Sequence, residues 1–178
     1  MAIHKIQIND FISDDYELIA IHSSLEDYKL AYCLNKELGL QLQKNDNYIE
    51  IAIPEGKSAF ENFAFDDEKN DVIWTLIENK TTIINSNKQT SSLFEQVDIT
   101  VFLLPEYKKA DYLIKIENID YGFDADEIID TILKIKNVTT AYSVDTTNLK
   151  SKNKCFLLMF NRADLTVGGG KKLSGPTS

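Results

Sequence analysis

What most restricts the fold of this chain is its succession of short apolar runs, each closed by a short polar turn. Tyr16 to His22, Leu40 to Gln43, Tyr48 to Ile53, Val72 to Ile77, Val97 to Leu104, Asp111 to Ile116, Val138 to Val144 and Cys155 to Phe160 have the length and content of strands. Phe60, Phe63 and Phe65 mark one more, with an irregularity between the first two. Turns as short as Lys44-Asn45-Asp46-Asn47 leave no room for the long crossover that parallel pairing needs, so the pairing is expected to be mostly antiparallel. Val97 to Leu104 and Asp111 to Ile116 read as a hairpin around Pro105-Glu106-Tyr107-Lys108-Lys109.

Two segments switch to a helical period. Leu25, Tyr28, Tyr32, Leu34 and Leu38 form an apolar stripe, Ser23 with Glu26 and Ser24 with Asp27 have capping-box spacing, and Gly39 supplies the stop. The pattern predicts a helix from Ser24 to Leu38. A second runs from Ala125 to Lys136: Asp124 with Glu127 caps it, Ile128, Ile129, Ile132, Leu133 and Ile135 give its buried face, and Lys134 and Lys136 suit its negative end. The expected architecture is an α+β, two-layer sandwich: a mostly antiparallel sheet with two main helices. One globular domain is expected over residues 1–160. A flexible Gly/Lys tail is expected over 161–178, where Gly168-Gly169-Gly170-Lys171-Lys172 has linker chemistry.

The chain of 178 residues is 43% hydrophobic and 26% charged, which suits a packed core rather than disorder. Its net charge of −9 repels phosphate backbones and anionic lipid headgroups. Nucleic acid is therefore a disfavoured partner, and no run is long enough to span a membrane. Arg162 is the only arginine, so the body of the domain lacks the planar fork that grips phosphate and carboxylate. The lysines that remain for RNA are Lys108, Lys109, Lys150, Lys152 and Lys154, and aromatics do not interleave with them as single-strand binding wants. Cys33 and Cys155 form no CxxC pair or staple framework. Met1-Ala2-Ile3-His4-Lys5 lacks a signal-peptide core, so a cytoplasmic protein is expected. In that setting Asn79-Lys80-Thr81 and Asn137-Val138-Thr139 are chance glycosylation sequons.

Three segments carry a family resemblance: Leu18-Ile19-Ala20-Ile21-His22-Ser23-Ser24-Leu25-Glu26-Asp27-Tyr28-Lys29-Leu30-Ala31-Tyr32, Leu104-Pro105-Glu106-Tyr107-Lys108-Lys109-Ala110-Asp111-Tyr112, and Thr139-Thr140-Ala141-Tyr142-Ser143-Val144-Asp145. Over roughly the first 155 residues the chain resembles the IPExxVD family of the Bacteroidetes. It departs from the naming motif, with Leu104 for the isoleucine, Ala110 for the valine and a spacer of three residues instead of two. The resemblance implies a cytoplasmic single domain and brings no reaction, cofactor or site residue.

The sharpest site candidate is His22-Ser23-Ser24, where a strand runs into a helix start. That geometry presents backbone N–H groups to an anion, and His22 adds a proton switch. Capping explains the same serines without a ligand. Glu26 and Asp27 read as first-turn acids. Tyr28 and Tyr32, one turn apart, read as core or as a half-buried partner surface, and Glu106 and Asp111 flank the turn after Pro105. His4 and His22 are far apart, the acidic run Asp66 to Asp71 lacks an EF-hand's glycine and distal glutamate, and GxGxxG, GxSxG and HExxH are absent. No metal or cofactor is expected. The expected role is a non-catalytic protein-interaction or regulatory module whose partner is another cytoplasmic protein. The alternatives are an anionic-metabolite or enzymatic domain using His22-Ser23-Ser24, and an RNA-associated protein.

Overall fold

The run Leu18-Ile19-Ala20-Ile21 shows no alternation because both faces of its strand are covered, and all four residues are fully buried. In the computed structural model, which describes residues 16–53, 56–85, 97–120, 122–146 and 149, this run lies in β1 (Tyr16–Ser23). There follow α1 (Asp27–Leu38), β2 (Gln43–Lys44), β3 (Ile49–Ile53), β4 (Gly56–Phe60), β5 (Asn62–Asp67) and β6 (Val72–Glu78). Then come β7 (Lys80–Asn85), β8 (Val97–Phe102), a 3₁₀ turn (Pro105–Tyr107), β9 (Tyr112–Glu117), α2 (Ala125–Ile132) and β10 (Val138–Ser143). Six strands form one sheet in the order β10-β1-β9-β6-β5-β2, and β3–β4 and β7–β8 form two-stranded ribbons. Every pairing among the described residues is antiparallel, and they hold two α-helices, so the α+β reading holds.

Alternation sorts side chains to the two faces of the six-stranded sheet. On one face Ile19, Ile21, Trp74, Leu76, Ile114 and Ile116 pack against Leu30, Ala31 and Leu34 of α1 and Ile132 of α2. On the other, Leu18, Ala20, Ile77 and Leu113 meet Ile49, Ile51 and Phe60 of the β3–β4 ribbon, with Leu103 and Leu104. That second core also contains a charged pair. Lys115, only 1% exposed, donates to Glu117 Oε1 at 2.7 Å, and its ammonium lies 5.3 Å from the Tyr16 ring centre.

Both helices differ from expectation at one end. α1 starts at Asp27 with Glu26 as an N-cap that makes no side-chain capping bond. Tertiary bonds hold the two serines outside the helix. Ser23 Oγ donates to the Asn137 carbonyl and accepts from Leu25 N–H, and Ser24 N–H donates to the Asn137 carbonyl. At the other end Gly39, at φ +70°, makes the predicted left-handed stop. Asp124 caps α2 as predicted, accepting from the N–H groups of Asp126 and Glu127. The helix ends at Ile132, and the chain then tightens through Lys134 N–H to the Thr131 carbonyl and Ile135 N–H to the Ile132 carbonyl. Ile135 still reaches the core.

The predicted hairpin of Val97–Leu104 with Asp111–Ile116 does not form. β8 pairs with β7, while β9 lies between β1 and β6 in the large sheet. Asn79 governs this separation. Fully buried between β6 and β7, it donates through Nδ2 to the carbonyls of Tyr107 and Ala110, and its Oδ1 accepts from Leu104 N–H. These bonds fold the Leu103–Ala110 segment back on itself. That burial also bars a glycan from the Asn79 sequon. β7 was not foreseen in the sequence. The irregularity between Phe60 and Phe63 is a full break at Glu61, since β4 and β5 join different sheets. The strand expected over Cys155 to Phe160, the lysine turn of Lys150, Lys152 and Lys154, and the tail over 161–178 lie outside the described residues.

Candidate functional site

The end of β1, the start of α1 and the junction of β6 with β7 enclose an open cleft of about 660 Å³. His22, Ser23 and Ser24 form one wall, so the structure gathers the sequence-predicted corner around a concavity. Asp111 joins them there. Its carboxylate accepts from Ser23 N–H at 3.0 Å and pairs with Lys80 Nζ at 2.5 Å. This bridge ties β1 to β7 and occupies the Ser23 N–H.

His22 lies half-buried with Nε2 3.3 Å from the Tyr142 hydroxyl, and the Tyr142 ring in turn lies 6.2 Å from that of Tyr107. Burial, and after it Tyr107, raises the Tyr142 phenol above its ordinary pKa. Tyr112, on the cleft floor, donates its hydroxyl to the Leu25 carbonyl at 2.7 Å. Burial first, then the carboxylates Glu78, Asp27 and Asp111, hold that phenol far above the usual range, so it acts as a fixed donor.

Charge distinguishes this cleft from an anion site. Among the described residues Glu26, Asp27, Glu78 and Asp111 line it, against the ammonium of Lys80. Burial, then Asp27 and Glu61, push the Glu78 carboxyl above the ordinary carboxylate range. The amides of residues 23, 24 and 25 are already used by Asp111, Asn137 and Ser23 respectively. Both facts work against an anion at the strand-to-helix corner. No group of three His, Cys, Asp or Glu able to hold a metal ion occurs among the described residues.

Tyr28 and Tyr32 lie on the exposed face of α1, and Tyr28 reaches the cleft rim through Glu26. They are 56% and 69% exposed, so they belong to neither the core nor a half-buried surface. The buried stripe instead runs through Leu30, Ala31 and Leu34, which at 3.6 residues per turn lie on a different side of the helix from Tyr28 and Tyr32. Glu26, on the cleft rim, accepts from the Tyr28 hydroxyl and pairs with Lys29, and that pairing, before the tyrosine bond, lowers its pKa. Glu106 sits exposed on the 3₁₀ turn and does not line the cleft.

Sequence reasoning missed Glu78 and Lys80, which flank buried Asn79. The available signal was the polar triplet that breaks the apolar run of β6. No family model matches the chain, and neither a curated protein nor a solved structure matches it. No helix among the described residues is long and apolar enough to cross a membrane.

Proposed function

We propose that this chain is a non-catalytic interaction or regulatory module that binds another protein of the cytoplasm through the outer face of α1 and the cleft beside it. One observation carries the reading: Tyr28 and Tyr32 stand exposed, one turn apart, and Tyr28 donates to Glu26, which lines the cleft. Tyrosine couples a rigid apolar body to a polar tip and is enriched at the cores of protein contacts. As part of the same proposal we group the chain with the IPExxVD-like proteins it resembles. Cys33, a free thiol, accords with a reducing compartment.

A second reading draws on the cleft volume, which lies within the range of about 300–1,000 Å³ typical of small-molecule sites. The carboxylate lining then calls for a cation in place of the anion first expected at His22-Ser23-Ser24. RNA association has the net charge of −9 against it.

Affinity capture from native lysate, with the unaltered chain and with Tyr28→Ser/Tyr32→Ser, tests the first reading beside thermal melts across a metabolite panel. A protein retained by the unaltered chain and lost by the variant, at equal melting temperature, supports it. A melting rise from one metabolite, abolished by His22→Gln with the tyrosine variant indistinguishable in every assay, would replace the interaction module with a ligand site.

A further inference from the structure

The outer face of α1 carries two exposed tyrosines, and Tyr28 is bonded to Glu26 at the edge of a negatively charged cleft. Resting on the interaction reading, we infer that the segment docking there is basic: an arginine or lysine of the partner enters the cleft between Asp27 and Glu78 while its neighbours cover Tyr28 and Tyr32. Charge complementarity is the ground. Around the cleft Glu26 has Lys29, Glu61 has Lys44 and Asp111 has Lys80. Asp27 and Glu78 repel each other and have no salt bridge among the described residues; Lys44 attracts both and Lys80 attracts Glu78, but neither makes a direct ion pair with them.

The same helix already displays the pairing in miniature. The Lys29 ammonium is held by the Glu26 carboxylate and lies 5.4 Å from the centre of the Tyr28 ring. A carboxylate and an aromatic face together favour an organic cation over an acidic or neutral one. The absence of a three-ligand cluster among the described residues separates this surface from an inorganic cation site. The exposed area of two tyrosines exceeds what a small amine would cover, which favours a peptide segment over a free metabolite.

The test uses fluorescence anisotropy on the full chain with three labelled nonapeptides. One alternates arginine with leucine, one replaces arginine by lysine, and one replaces it by citrulline, which keeps the shape and loses the charge. The arginine peptide is expected to bind about tenfold or more tightly than the citrulline peptide, as a desolvated charge pairing requires. Asp27→Asn/Glu78→Gln should weaken it by about the same factor. Glu68→Gln/Asp130→Asn removes two exposed carboxylates outside the cleft and should leave binding within about twofold. Equal binding of the arginine and citrulline peptides, binding of neither, or equal losses in the two charge variants would overturn the basic-segment inference. If a natural partner still depends on Tyr28 and Tyr32 in that event, the interaction module stands with a different partner chemistry. If the tyrosines are irrelevant as well, both fail. Melting curves of each variant confirm folding, and Asp27→Asn/Glu78→Gln is expected to melt no lower than the unaltered chain.

Discussion

Asn79→Ala is expected to be among the most damaging single changes available in this chain. The side chain is fully buried and makes three hydrogen bonds, to the Tyr107 carbonyl at 2.9 Å, the Ala110 carbonyl at 3.0 Å and Leu104 N–H at 2.9 Å. Truncation removes all three and leaves one donor and two acceptors of the backbone unsatisfied. Each orphaned group costs about 1–3 kcal/mol. Partial relaxation and water entry reduce the sum, so a loss of about 3–6 kcal/mol is expected, against a total of about 5–15 kcal/mol for an ordinary domain. Asn79→Asp should be at least as harmful, although it is nearly isosteric. It keeps the acceptor for Leu104 and turns the donor into a carboxylate oxygen facing two carbonyls. Urea unfolding, followed by the fluorescence of Trp74 and by circular dichroism, measures both variants. A loss below about 1 kcal/mol for Asn79→Ala would refute the view that this side chain organises the segment Leu103–Ala110, since that is no more than a single ordinary bond.

Three further outcomes are expected. Ser23→Ala should cost about 1–2 kcal/mol in the same unfolding assay, because its hydroxyl bonds both Asn137 and Leu25, while Ser24→Ala should stay within about 0.5 kcal/mol; equal costs would restore the original capping assignment. Lys115→Met alone should cost about 3–5 kcal/mol by leaving Glu117 buried and unpaired, whereas Lys115→Met/Glu117→Leu should recover most of that loss, and a double variant as weak as the single would contradict the argument. Glu78 is held above its ordinary pKa, so the folded state binds its proton more tightly than the unfolded state does. Its contribution is therefore most favourable below the unfolded carboxylate range and is lost as pH rises through the raised folded value, so Glu78→Gln should raise the melting temperature at pH 7 by an amount that shrinks toward acid; a gain independent of pH would count against that origin.

Some of this protein could be read from local pattern alone. The apolar runs at Tyr16–His22 and Val72–Ile77, the left-handed stop at Gly39 and the Asp124 cap depend on near neighbours in sequence, and each appears in the structure. So does the antiparallel pairing of β3 with β4 and of β5 with β6, because the short turns between them permit nothing else. The sites of long-range choice were not legible. Ser23 and Ser24 have the spacing of caps, yet bonds to Asn137, more than a hundred residues away, draw them out of the helix. That displacement shifted the start of α1, while the exposure of Tyr28 and Tyr32 follows from the packing of Leu30, Ala31 and Leu34 in the core. The β8–β9 hairpin failed for a similar reason: β9 gains two largely buried neighbours in β1 and β6 that no turn signal announces. The cleft was visible only in part. His22, Ser23, Ser24 and Asp111 stood out by chemistry, but what gathers them with Glu78 and Lys80 is the bend at Asn79. Sequence alone determined where the chain could form strands, helices and stops, because those depend on side chains a few residues apart. Tertiary structure alone decided which strands became neighbours and which carboxylates share one cleft, because a buried polar group takes whichever partner the completed fold brings within hydrogen-bonding reach.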